Sequence, residues 1–186
     1  MGKKLSEMTL EELWQLFPIF LTEHRTCWAD WYQQEAAALQ ASVPQAVCIS
    51  HIGSTAIEGI WAKPIIDILL EMPQSCDLAG LQALLAQQGY ICMSRSEGRL
   101  SFNKGYTENG FAEKVFHLHV RYAGDHDELY FRDYLREEPA EAKAYEQLKL
   151  SLWKEYEHDR DGYTNAKADL VRQMTAAARE KYGKRY

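Results

Sequence analysis

The stretch "SHIGSTAIEGIWAKPIIDILLEM", Ser50 to Met72, sets a Gly-Ser turn, a lysine and a proline ahead of one aspartate inside an apolar run. Asp67 is flanked by Ile65, Ile66, Ile68, Leu69 and Leu70. An ionised carboxylate in such surroundings needs a partner or a metal, because an uncompensated buried charge is costly. "PIIDILLEM" reads as a strand starting at Pro64, where proline is tolerated. Alternation then puts Asp67, Leu69 and Glu71 on one face and Ile66, Ile68 and Leu70 on the other. A purely structural reading has Asp67 satisfied by Lys63 or by backbone N–H groups.

Working outward, "QAVCISHI" reads as a strand entering the Gly53-Ser54 turn, with a short turn or helix between it and the next strand. "CWADWYQQEAAALQAS" carries Trp28, Trp31, Tyr32, Glu35 and Leu39 at helical intervals and predicts a helix from about Trp28 to Gln40. Thr9 with Glu12 three residues on marks a helix start, and Pro18 should end or bend that helix. "DLAGLQALLAQQGY" predicts a helix stopping at Gly89. Two further strands, "RLSFNK" and "KVFHLHVRY", flank the hairpin connection "GYTENGFAE". "DELYFRDYLREE", "PAEAKAYEQLKLSLWKEYEH" and, after the break "DRDGYT", "NAKADLVRQMTAAAREKY" predict three helices. The expectation is one α+β domain over 1–186, a mixed β-sheet covered by helices, with a helical C-terminal part from about Asp127.

The 186 residues suit a single core, with 46% apolar and 12% aromatic content. Lys and Arg number 21 against 27 Asp and Glu, for a net charge of −6. That balance argues against nucleic acid as a partner, since backbone binding needs clustered positive charge. No apolar run approaches the ~20 residues of a membrane span. Cys27, Cys48, Cys76 and Cys92 are too widely spaced for a C-x-x-C motif, and no leader pattern opens the chain, so a soluble protein of a reducing cytoplasm is expected. Oligomeric state is left open.

In "KVFHLHVRY", alternation puts Val115, His117, His119 and Arg121 opposite Phe116, Leu118, Val120 and Tyr122. If helices cover the apolar side of one sheet, Asp67, His117 and His119 share the other face, although alternation does not make them neighbours. The glycine of "GST" lets backbone approach a ligand, and the neighbouring amides and hydroxyls suit phosphate oxygens. A Gly-Ser dipeptide after a strand is more often only a turn. No G-x-x-x-x-G-K-[ST] loop occurs, so this is not a P-loop kinase. His51 reads as a brace for the turn, and Trp28, Trp153 and Tyr163 as packing residues.

The segments "HIGSTAIEGIWAKPIIDILLEM", "FHLHV", "YFRDYLREEPAEAKAYEQLKLSLW" and "YTNAKADLV" closely resemble the GrpB family in the same order, over roughly Trp28 to Val171. The resemblance implies a nucleotidyltransferase-like fold, in which a Gly-Ser turn precedes by about a dozen residues a strand bearing D-h-[DE]. Gly53, Ser54 and Asp67 match those positions; Leu69 stands where the second carboxylate belongs. The resemblance further implies metal-dependent nucleotidyl transfer from a nucleoside triphosphate to a small molecule or protein. Asp67 and His119 would be catalytic, and Asp67, His117 and His119 would hold a divalent ion, magnesium or manganese ahead of zinc. Gly53, Ser54, Thr55, Lys63, Lys104 and Arg132 would meet the phosphates. Asp133 and Lys167 also match family positions, but charged helix residues of this kind are usually solvated or ion-paired. Imidazole at positions where acids are expected suits zinc or manganese better than magnesium. Two alternatives stay open: a non-catalytic module binding a nucleotide or other phosphorylated ligand, favoured by Leu69, and a metal-dependent phosphoester hydrolase, favoured by the H-x-H pair.

Overall fold

A computed structural model describes residues 3–186. Five strands, β1 (Cys48–Ile52), β2 (Ile66–Met72), β3 (Ile91–Ser96), β4 (Arg99–Thr107) and β5 (Gly110–Tyr122), form one sheet in the order β1-β2-β5-β4-β3. Only β2 and β5 run parallel; every other neighbouring pair is antiparallel. The helices are α1 (Leu10–Leu16), α2 (Cys27–Ser42), α3 (Leu78–Gln87), α4 (Asp127–Glu137), α5 (Pro139–Trp153) and α6 (Arg160–Tyr182). Among the described residues no helix is long and apolar enough to cross a membrane.

The even-numbered face of β2 and β5 is the greasy one. Ile66, Ile68, Leu70, Phe116, Leu118 and Val120 are buried there against Trp28 and Leu39 of α2 and Leu81 and Leu85 of α3. At ~1.5–3 kcal/mol for each large side chain fully removed from water, this layer dominates the folding energy. On the opposite face, Leu129 of α4 packs on Ile52 and Leu69. A second apolar cluster joins the segment after β1 to the C-terminal helices, with Ile57 and Ile60 buried among Phe131, Leu135, Tyr145 and Met174. This cluster brings α5 and α6 over the open part of the sheet.

Several sequence boundaries move. β2 begins at Ile66 rather than Pro64, and β3 was not expected at all. The strands of the β4–β5 hairpin run almost to its tip, where Thr107 pairs with Gly110. α5 stops at Trp153, and α6 begins at Arg160, inside the segment expected to be a break. Asp159 caps α6 by accepting from the Gly162 amide at 2.8 Å, so the glycine lies in the first turn. The expected cap of α1 is present, with Thr9 Oγ1 accepting from the Glu12 amide at 3.2 Å and Glu12 accepting from the Thr9 amide at 2.7 Å.

Candidate functional site

Parallel pairing of β2 with β5 sets Asp67 beside His117 and Leu69 beside His119. The three polar side chains converge: Asp67 Oδ1 lies 3.3 Å from His117 Nδ1 and 3.2 Å from His119 Nε2. An ionised carboxylate only accepts, so both facing ring nitrogens carry protons and donate to it. Burial alone would raise the Asp67 carboxyl, but these two hydrogen bonds more than offset it and hold it below the usual carboxylate range. Burial also pushes His117 down to about 4, which keeps it neutral. His117 Nε2 then accepts from Arg160 Nη2 at 3.2 Å and meets Tyr106 Oη at 2.8 Å.

Tyr106 reaches this face because of a bulge. Before it, Ser101 and Asn103 pair with His119 and His117; the register then shifts between Lys104 and Tyr106. Gly105 sits at the shift with φ +89°, and a Cβ there would lie 2.3 Å from the Lys114 carbonyl oxygen. The extra residue turns Tyr106 toward His117.

Gly53 closes the site from the β1 side. Its φ is +69°, and a Cβ would come within 2.5 Å of Asp67 Oδ2, so only glycine allows this backbone to lie against the carboxylate. Ser54 comes next, its Oγ accepting from Lys149 Nζ at 3.1 Å. Lys149 also donates to the Trp61 carbonyl, is 2% exposed and stands 4.8 Å from the centre of the Tyr145 ring. Lys167 lies 4.0 Å from the centre of the Tyr163 ring, and Lys63 lies 5.6 Å from it on the same ring. Burial lowers Lys149 to about 7 and Lys63 to about 8. Burial, reinforced by the charges of Lys63 and Lys149, lowers Lys167 to about 7. Burial is the leading cause at all three; the charge of Lys63 adds to it at Lys149 and Lys167, and Glu146 and Asp67 offset it only in part.

Three further sequence candidates are engaged by other parts of the chain. Thr55 is buried; its hydroxyl lies 2.9 Å from His51 Nε2 and 3.3 Å from the Ile65 carbonyl, so it clamps β1 to the start of β2 instead of facing a ligand. Lys104 lies on the helix-covered face, paired with Glu35 of α2 at 2.7 Å. Arg132 donates to the His51 carbonyl at 3.1 Å and pairs with Asp133 at 2.8 Å, bracing β1 against α4. Glu71 is also spent, 2.9 Å from His126 Nδ1, and Leu69 is 0% exposed. No second carboxylate reaches Asp67 from β2.

A family profile described as GrpB protein matches residues 18–177. The glutamate-rich protein GrpB of Alkalihalophilus pseudofirmus is 36% identical over 160 residues, covering 82% of this chain and 91% of its own length. The chain belongs to the GrpB family. A UPF0157 protein of Pseudomonas aeruginosa is 36% identical over 155 residues, which is 81% of this chain but 64% of that relative. The crystal structure of GrpB from Enterococcus faecalis superposes with a TM-score of 0.77 at 29% identity, covering 88% of this chain and 99% of that one. Distant likeness extends to the Cid1 poly(U) polymerase, at 13% identity and a TM-score of 0.44, over 69% of this chain and 45% of that one.

Within this GrpB fold, the sequence pointed to Gly53, Ser54, Lys63, Asp67, His117 and His119, and these gather in one place. Tyr145, Lys149 and Arg160 were missed, and Lys167 was set aside as a solvated helix residue. The signal for the two lysines is a repeated Tyr-x-x-x-Lys on α5 and α6, which puts Lys149 and Lys167 each one turn from a tyrosine; Arg160 has no such mark.

Proposed function

We propose that this chain binds the phosphates of a nucleoside triphosphate at Ser54, Lys63, Lys149 and Lys167 and transfers the nucleotidyl group to a small-molecule or protein acceptor. The observation that carries the reading is the meeting of this lysine cluster with the Asp67–His117–His119 trio across the Gly53–Ser54 turn. An acceptor oxygen attacks the α-phosphorus, the bond from that phosphorus to its bridging oxygen breaks, and pyrophosphate leaves. The acceptor's proton passes to water, because an ion held by His119 Nε2 would leave the ring's own proton on Nδ1 and no free nitrogen to accept another. The lysines hold the departing phosphates and offset the charge that develops on them.

One carboxylate oxygen and two imidazole nitrogens lie within 4.8 Å of one another, a donor set that suits a single manganese or zinc ion and not a pair of magnesium ions. Asp67 and His119 would hold it with His117 as third donor, and it would supply charge neutralisation at the phosphates. Engaging His117 Nδ1 would require a proton on Nε2, against the Arg160 N–H.

Nucleotide titration with manganese, zinc, magnesium and chelator, alongside pyrophosphate release over a panel of acceptors, tests the proposal. Asp67→Asn should abolish metal-promoted binding and turnover with the fold intact. Binding that is indifferent to metal and to Asp67→Asn, without pyrophosphate release, would favour a second reading: a module that holds a phosphorylated ligand without catalysis. Burial of Leu69 at the second carboxylate position supports that alternative.

A further inference from the structure

A cavity of about 180 Å³ opens beside the trio, walled by Phe17, Phe20, Trp31 and Phe111. It shares Lys63 and Arg160 with the site, and Arg160 is the residue that donates to His117. Its charged lining comprises Arg25, Lys63 and Arg160 against the single acid Glu113. Among the described residues none of these three cations has a carboxylate within 4.0 Å; Arg160 and Lys63 instead lie over the rings of Tyr106 and Tyr163.

We propose that this cavity seats a small aromatic ring carrying an anionic substituent, with the ring among the four aromatic walls and the anion at Arg25 and Arg160, on the far side of Lys63 from the triphosphate. Size, surface and charge agree on that ligand. An apolar cavity of ~150 Å³ is enough to hold benzene. The ring centre of Phe17 lies 5.1 Å from that of Phe111 and 4.7 Å from that of Tyr106, in tilted packing, so the wall presents ring edges and faces to an entering ring. Guanidinium groups in the lining with no carboxylate partner select an anion over a neutral arene. Entering from this side, the ligand reaches His117 through Arg160, whereas the triphosphate is held from the Ser54 side. On the transfer reading, which this part of the inference rests on, the ring-bearing anion is the acceptor.

The test is ligand-observed NMR and calorimetry with phenyl phosphate, inorganic phosphate and phenol on the full chain. Phenyl phosphate should bind at least about tenfold more tightly than either fragment, since one aromatic packing contact and one charge-assisted bond each contribute about that much. Trp31→Ala should erase the advantage of phenyl phosphate over inorganic phosphate. Arg25→Gln, at an exposed position, should erase its advantage over phenol, and it decides the matter if Trp31→Ala does not fold. Equal affinity for phenyl phosphate and inorganic phosphate, or no effect of Arg25→Gln, would overturn the inference. A parallel nucleoside triphosphate titration of Lys149→Ala separates the two proposals. Triphosphate binding lost in that variant, with no ring-anion binding to the native chain, would sink only the cavity. Ring-anion binding without any triphosphate binding would keep the cavity and remove the transfer reading.

Discussion

At Gly53 two constraints coincide: a left-handed backbone, and a carboxylate oxygen where a side chain would begin. With ψ at −172° this is a conformation nearly confined to glycine, and the backbone term alone costs an alanine ~1–3 kcal/mol, to which the contact with Asp67 adds. Gly53→Ala should therefore destabilise the fold by at least that amount in urea titration and displace Asp67 from His119. An unchanged midpoint would mean that the turn relaxes freely. Asp67 was legible because one charge in an apolar run demands an explanation, and period-two counting assigned His117 and His119 to its face. Their adjacency was not legible, since it depends on β2 and β5 being neighbours in register. Lys104 misled for a related reason: a long amphipathic side chain at a strand position gives no clue that an acid on α2, Glu35, waits on the covered face.

Elements bring the lysines in, and the segment between β1 and β2 is what they grip. Glu146 of α5 is buried and accepts from the Trp61 amide at 2.7 Å, while Lys149, one turn on, donates to the Trp61 carbonyl. α5 therefore holds both polar groups of one residue in the loop that leads to Lys63. Glu146→Ala would strand a part-buried amide and remove an acid that favours the charged form of Lys149, at a cost of about 1.5–3 kcal/mol. Glu146→Gln, which keeps an acceptor for Trp61, should recover much of the loss; equal destabilisation by both variants would show that charge, not the amide bond, matters. This docking was invisible in sequence because Glu146 looks like any helix surface acid. β3 was missed because it is an edge strand exposed on nearly every residue, so no alternation marks it. The start of α6 was misplaced because Gly162 resembles a break until Asp159 is seen capping it.

On the scale of the molecule, an acidic chain of net charge −6 gathers Lys63, Lys149 and Lys167 around one turn. Such local focusing can attract an anion although the surface as a whole repels it. It also couples binding and stability to pH in opposite directions. In the unfolded chain the three lysines keep the ordinary value of 10.5, whereas in the folded chain burial lowers them to about 8, 7 and 7. Above pH 7 the unfolded state therefore binds more protons than the folded state, so without ligand the contribution of these lysines to stability grows as pH rises toward the ordinary lysine range. An anion reverses the preference, because it favours the charged lysines and must draw protons in to meet them. Triphosphate affinity should fall between pH 7 and 9, by up to about tenfold per unit for each proton taken up, while the urea midpoint of the free protein holds or increases. Calorimetry in two buffers of different ionisation enthalpy counts those protons directly. Lys167→Met should reduce the count and flatten the pH dependence of affinity. Affinity that stays level from pH 7 to 9, with no proton uptake, would show that the lysines do not face the phosphates.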